Sequence, residues 1–125
     1  MCVHGFLDTW RTWELLLPVL ERHHDVLAPT LPGHAGAVPL PEPLDAEALV
    51  DALEAAMDEA GFETAHVIGN SLGGRLAFEL AVRGRARSVV AFAPPSRRCT
   101  TSSGSSSRCS SRSSRCPRAA GEPPS

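Results

Sequence analysis

Apolar residues along this chain fall into short runs and helical stripes that take turns. MCVH at the start reads as the end of a buried strand, closed by a turn at Gly5. In WRTWELLLPVLER, apolar residues recur at Trp10, Trp13, Leu16, Leu17 and Leu20, the spacing of a helix over 10–22. Thr9 stands where its N-cap belongs. Pro18 lacks an N–H and should kink that helix or end it early. HDVLAPT (24–30) reads as a short strand. LPGHAGAVPLPEP (31–43) reads as loop, because four prolines and two glycines break any regular ladder.

The second half of the pattern is cleaner. A helix is expected from Asp45, its cap, to Gly61, its stop, with Glu47 complementing the dipole in the first turn. Its buried face is expected to be Leu49, Leu53, Ala56, Met57 and Ala60. TAHVIG then predicts a strand, SLGGRLAFELAVRG a helix, and RSVVAFAP one more strand. Strands alternating with helices predict an α/β fold: a mostly parallel sheet with helices on both faces.

From Ser96 the composition changes. Residues 96–125 hold eleven serines and no Leu, Ile, Val, Phe, Trp or Met, so this tail cannot bury a core and is expected to be disordered. The division is therefore a domain over 1–95 and a Ser/Arg-rich tail over 96–125. The tail reads foremost as an out-of-frame translation of downstream DNA, because the change is abrupt after a complete strand. A natural Arg/Ser interaction tail and a flexible linker are the alternatives.

Charge follows the same border. Residues 1–95 carry six arginines against thirteen acids, whereas the tail carries six arginines against Glu122 alone. A basic tail on an acidic body raises a nucleic-acid-binding arm as a possibility, but no nucleic-acid partner is expected. Of the four cysteines, Cys99, Cys109 and Cys116 lie in the tail at spacings that match no zinc site, and Cys2 stands apart. They read as reduced thiols, and no metal is expected. No apolar run reaches eighteen residues and no signal peptide precedes the first strand, so a cytoplasmic protein without a membrane partner is expected.

Candidate chemistry sits at the break between the strand and helix of VIGNSLGGRLAFELA (67–81). Ser71 lies between Gly69 and Gly73, in a Gly-x-Ser-x-Gly pattern where a β-rich run meets a helix. That context gives a weak motif its meaning: the sharp turn lifts the serine hydroxyl above the sheet. Gly69, Gly73 and Gly74 keep bulk away where strand and helix pack. Leu72 offers a backbone N–H at the helix N-terminus, where the dipole favours a developing oxyanion. Phe6, after His4-Gly5, offers a second. GNSLGGR lacks the Lys-Ser/Thr of a P-loop, and no Gly-x-Gly-x-x-Gly follows a strand.

HGF, the Trp-containing helix, LPGH and GNSLGG, in this order, closely resemble the α/β-hydrolase superfamily over roughly residues 1–95. The resemblance implies Ser71 as nucleophile and the amides of Phe6 and Leu72 as oxyanion hole, acting on a small-molecule acyl substrate. An ester, a thioester or an activated carbon–carbon bond would pass through an acyl-enzyme, without a cofactor. His4 is expected to orient the oxyanion loop, and His34 to sit in a structural turn rather than act as base. His23, His24 and His66 read as surface or strand-edge residues, Asp8 as a solvated loop acid, and Arg75 as a surface residue.

The family's triad runs Ser, then Asp or Glu, then His. Here no histidine follows Ser71, and the only later acids are Glu79 and Glu122. The chain thus reads as a family fold truncated at both ends, keeping four contiguous central strands with open edges. No useful turnover is expected of it. The alternatives to an enzyme are a catalytically inactive fragment and a binding module with a basic tail.

Overall fold

The computed structural model describes residues 1–39 and 45–95. The tail from Ser96 and the end of the proline-rich loop lie outside the described residues, as do the three tail cysteines. Three parallel strands form the sheet in the order β1 (Cys2–Val3), β2 (Ala65–Asn70), β3 (Ala86–Phe92). Between β1 and β2 lie a 3-10 turn at Trp10–Trp13, a one-turn helix α1 (Leu17–Leu20) and the long helix α2 (Ala46–Glu59). Helix α3 (Leu72–Val82) connects β2 to β3. The fold is the parallel α/β arrangement that the alternating pattern predicts.

Helix α2 forms as its sequence dictates. The Asp45 carboxylate accepts the Glu47 N–H at 3.1 Å. At the other end Gly61 takes φ +78°, so that the Gly61 and Phe62 amides reach back to Asp58 and Met57 at 3.1 and 2.8 Å. That is a Schellman stop, which satisfies carbonyls the helix leaves open. α3 ends the same way at Gly84 (φ +77°), with Arg85 N–H donating to Leu80. Leu49, Leu53 and Met57 are buried as expected; Val50 joins them, Ala56 is half-buried and Ala60 is exposed. The buried side chains meet Val67 from β2 and Leu76 and Leu80 from α3.

The first helix departs from expectation. Thr9 does cap it, accepting the Arg11 N–H at 3.3 Å. Yet the stretch splits into a 3-10 turn and a single α turn that begins beside Pro18. Proline tolerates only the first turn of a helix, because it has no N–H to donate backward. The 24–30 segment is likewise no strand. It gives β1 one bond, from Cys2 N–H to the Leu27 carbonyl at 2.8 Å. β1 is two residues long and Pro29 cannot donate, so the ladder does not propagate and three strands stand where four were expected.

The α2 surface carries its acids as a stripe, and the chain answers with arginines just past α3. Arg83 pairs with Asp51 at 2.5 Å and Glu54 at 2.7 Å, and Arg85 pairs with Asp58. These exposed pairs add modestly to stability, but they fix how α2 lies along α3. On β3 the apolar side chains of Val90 and Phe92 remain about half exposed, and no strand among the described residues pairs with its outer edge.

The glycines separate two kinds of constraint. A Cβ on Gly73 would overlap the Val3 carbonyl and lie 2.5 Å from the His4 carbonyl oxygen. At Gly84 it would meet nothing within 4 Å. Gly73→Ala should therefore cost about 3 kcal/mol or more by overpacking, and Gly84→Ala only about 1 kcal/mol of backbone strain. Urea denaturation of both variants checks the order, and equal losses would contradict it.

Candidate active site

β2 ends at Asn70, and one residue later the chain is helical. The residue between, Ser71, adopts φ +49° and ψ −114°. A non-glycine residue in so sparsely populated a region carries strain of about 1–3 kcal/mol, which persists only where surrounding bonds enforce it. Two bonds do so here. The Ser71 N–H donates to the Phe92 carbonyl on β3 at 2.8 Å, and its carbonyl accepts the Arg75 N–H at 3.2 Å. The residue is half-buried, and its side chain makes no capping hydrogen bond to α3.

The corner is tight because two glycines let backbone approach backbone. A Cβ on Gly69 would fall 2.6 Å from the Gly74 nitrogen. The Gly73 position presses on the Val3 and His4 carbonyls at the end of β1. Gly74 is less constrained, its nearest neighbour being the Ala91 methyl at 3.2 Å. Val3 is level with Gly69 across the ladder, which brings the loop after β1 beside the serine. A Cβ on Gly5 would stand 3.4 Å from the Ser71 Cβ. The structure thus brings together Ser71, Gly5, Gly69, Gly73 and Gly74.

His4 is fully buried, and both of its ring nitrogens are engaged. Nδ1 lies 2.7 Å from the Gly5 carbonyl, and Leu31 N–H donates to Nε2 at 2.8 Å. A carbonyl only accepts and an amide only donates, so the ring is neutral with its proton on Nδ1. The bond has a consequence for the next residue. The Gly5 carbonyl and the Phe6 N–H are opposite ends of one planar trans peptide, so turning the carbonyl toward His4 turns the amide away from it. No group among the described residues accepts from the Phe6 amide. The Leu72 amide is the first of α3, one of those a helix cannot satisfy internally.

The other candidates are placed as follows. His34 is 9% exposed; its Nδ1 lies 3.2 Å from the Pro32 carbonyl, and its ring stands edge-on to His4 and Phe6. His23, His24 and His66 are exposed, and His66 Nδ1 shares a hydrogen with Ser88 Oγ at 2.7 Å, on the strands rather than at the corner. Asp8 is half-exposed, and hydrogen bonds from Thr12 and Thr9 hold its carboxyl below the usual range. Arg75, expected at the surface, is partly exposed, with its Nε enclosed and without a partner among the described residues. The Leu31–His4 bond was invisible in the sequence, where 27 residues separate its ends. Among the described residues no cluster of His, Cys, Asp or Glu could hold a metal, and no helix is long and apolar enough to cross a membrane.

This strand–serine–helix corner beside a His-Gly loop, on a parallel sheet, is accompanied by similarity to known proteins. The chain belongs to the alpha/beta hydrolase family, whose model matches residues 1–123. It is 61% identical over 46 residues to epoxide hydrolase EphH of Mycobacterium tuberculosis, covering 37% of this chain and 22% of that one. It is 31% identical over 87 residues to 2-hydroxymuconate semialdehyde hydrolase of a Pseudomonas species, covering 66% of this chain and 31% of that protein. Among solved structures, a meta-cleavage product hydrolase from Pseudomonas fluorescens superposes with a TM-score of 0.65 at 29% identity, over 70% of this chain and 35% of that one. The chain spans between a fifth and a third of the length of these curated relatives.

Burial pushes the His4 imidazole below its ordinary pKa of 6.5, against the opposing pull of the Gly5 carbonyl; His34 adds to the lowering and Asp8 opposes it. A group depressed on folding adds stability that is whole above about pH 6.5 and is lost as pH falls through its lower folded value. Unfolding by urea from about pH 7 to about pH 5 should therefore show stability falling with acid. His4→Gln should flatten that slope while lowering stability at neutral pH by about 2 kcal/mol. A variant with the parent's slope would place the acid sensitivity elsewhere.

Proposed function

We propose that Ser71 is the nucleophile of a serine hydrolase and that the amides of Phe6 and Leu72 form its oxyanion hole. The hydrolase portion is residues 1–95. The observation that carries this reading is the conformation of Ser71: a strained serine whose side chain does not cap α3, at a helix N-terminus, beside the Gly5 loop. Ser71 Oγ attacks the carbonyl carbon of a small-molecule substrate and gives up its proton to a base. The carbonyl oxygen becomes an oxyanion between the two amides. Collapse expels the alcohol, thiol or carbon leaving group with a proton and leaves an acyl-serine, which water then hydrolyses.

Substrate class follows the named relatives only in outline. One is called an epoxide hydrolase, another a semialdehyde hydrolase, and a third a pimeloyl-[acyl-carrier protein] methyl ester esterase from Neisseria meningitidis, 38% identical over 81 residues. An ester, a thioester or an activated carbon–carbon bond is the reading carried here.

The base is the component these 125 residues do not provide. His66 is the last histidine, and Glu79 and Glu122 are the only acids beyond Ser71. His4 cannot serve, since its Nε2 lone pair already accepts from Leu31. Without its base such a serine loses about a millionfold in rate. The second reading, a chain silent by itself, rests on this observation.

Hydrolysis of a p-nitrophenyl ester by the chain should therefore be indistinguishable from that of Ser71→Ala. Added imidazole, standing in for the missing base, should raise the parent's rate above the Ser71→Ala control by about tenfold or more. A Ser71-dependent rate without imidazole would overturn the silent reading. Equal rates with imidazole would overturn Ser71 as nucleophile.

A further inference from the structure

Gly5 precedes the Phe6 amide and has the broadest rotational freedom of any residue. Its Cα hydrogen faces Asn70 and Ser71, each 3.4 Å from where a Cβ would stand. With glycine at this position the loop cannot rely on its own backbone preference. Something outside residues 5–6 must hold the amide in direction.

We infer that His34 is a positioning residue for the Phe6 amide, clamping the two residues that flank Gly5. This rests on reading that amide as an oxyanion donor. The His34 ring stands against His4, with centroids 5.0 Å apart at 72°, and against Phe6, at 5.8 Å and 89°. Both are edge-to-face geometries of the attractive kind. His4 and Phe6 are residues i−1 and i+1 of the glycine, so a single ring braces both sides of the soft joint. The His4 bond to the Gly5 carbonyl fixes the peptide plane at one end, and His34 holds the side chain at the other.

His34 itself is also held within its own turn. It is 9% exposed, and its Nδ1 faces the Pro32 carbonyl at 3.2 Å, which assigns the proton to Nδ1. Nε2 is enclosed and has no partner among the described residues. Nδ1 ties the ring to its own turn, while Nε2 adds no hydrogen bond and leaves that side of the ring to its contacts with His4 and Phe6. Phe6 supports the same view. The residue is 60% exposed, and its ring contacts that of His34.

Backbone ¹⁵N relaxation of the intact chain tests the clamp. The Phe6 amide should be rigid in the parent, with an order parameter of about 0.85. In His34→Ala it should fall below about 0.6, while Leu76 in α3 stays near its parent value. His34→Phe keeps a ring but loses both nitrogens, and should restore rigidity at Phe6. Phe6→Leu removes the partner ring from an exposed position that folding does not depend on, and should loosen its own amide equally. A Phe6 amide unmoved in either His34→Ala or Phe6→Leu overturns the inference, as does equal loosening in His34→Ala and His34→Phe. Equal loosening at Leu76 also overturns it, since His34 would then serve the core alone. Hydrolysis plays no part in this readout, so failure of imidazole rescue and failure of the clamp are separate results.

Discussion

Where α3 leaves the sheet, its first turn lies against backbone rather than side chains. The Gly69 and Gly73 positions admit no β-carbon, because each faces main-chain atoms of the facing segment. Close approach of this kind converts directly into geometry: the end of β1, the end of β2 and the start of α3 share one small volume. Ser71 stands at the edge of that volume because the turn has no other way to reach a helix within one residue. Its unusual φ is the result of the packing, held by bonds to Phe92 and Arg75. Displace the glycines and the loop carrying Phe6 moves away from the serine as well.

Division of labour within the His4–Leu31 pair follows from simple donor and acceptor rules. Two loops, 4–6 just beyond β1 and 31–34, are pinned together by one neutral imidazole. The imidazole is buried, so its charge state is set by desolvation and its orientation by two backbone groups. A residue that is chemically suited to catalysis is thereby committed to architecture. The same commitment excludes it from proton transfer and makes the loop sensitive to acid.

Local chemistry made much of this legible before any coordinates. Asp45 and Gly61 mark the two ends of α2, and each end is a matter of side-chain or backbone bonding within four residues. Ser71 could be placed on a corner because a strand pattern meets a helix pattern there. What local chemistry could not supply was the outcome of competition. The spacing of Trp10, Trp13 and Leu17 favours a helix, yet Pro18 divides it. The apolar run at 26–28 favours a strand, but its neighbour is too short to template one. The ring stack of His4, His34 and Phe6 depends on tertiary approach across some 30 positions, which no window of sequence contains.

The bond from the Ser71 amide to the Phe92 carbonyl couples the serine to β3, the outermost strand among the described residues. Phe92 is the last residue of β3, and a strand frays from its ends inward. Loosening of that end therefore reaches the serine before it reaches the core of α2 and α3. Whatever lies alongside β3 acts as a splint for the corner, although it touches none of the reacting atoms. The serine's backbone strain is thus held from the end of β3, and its persistence is a measure of how well that end is secured.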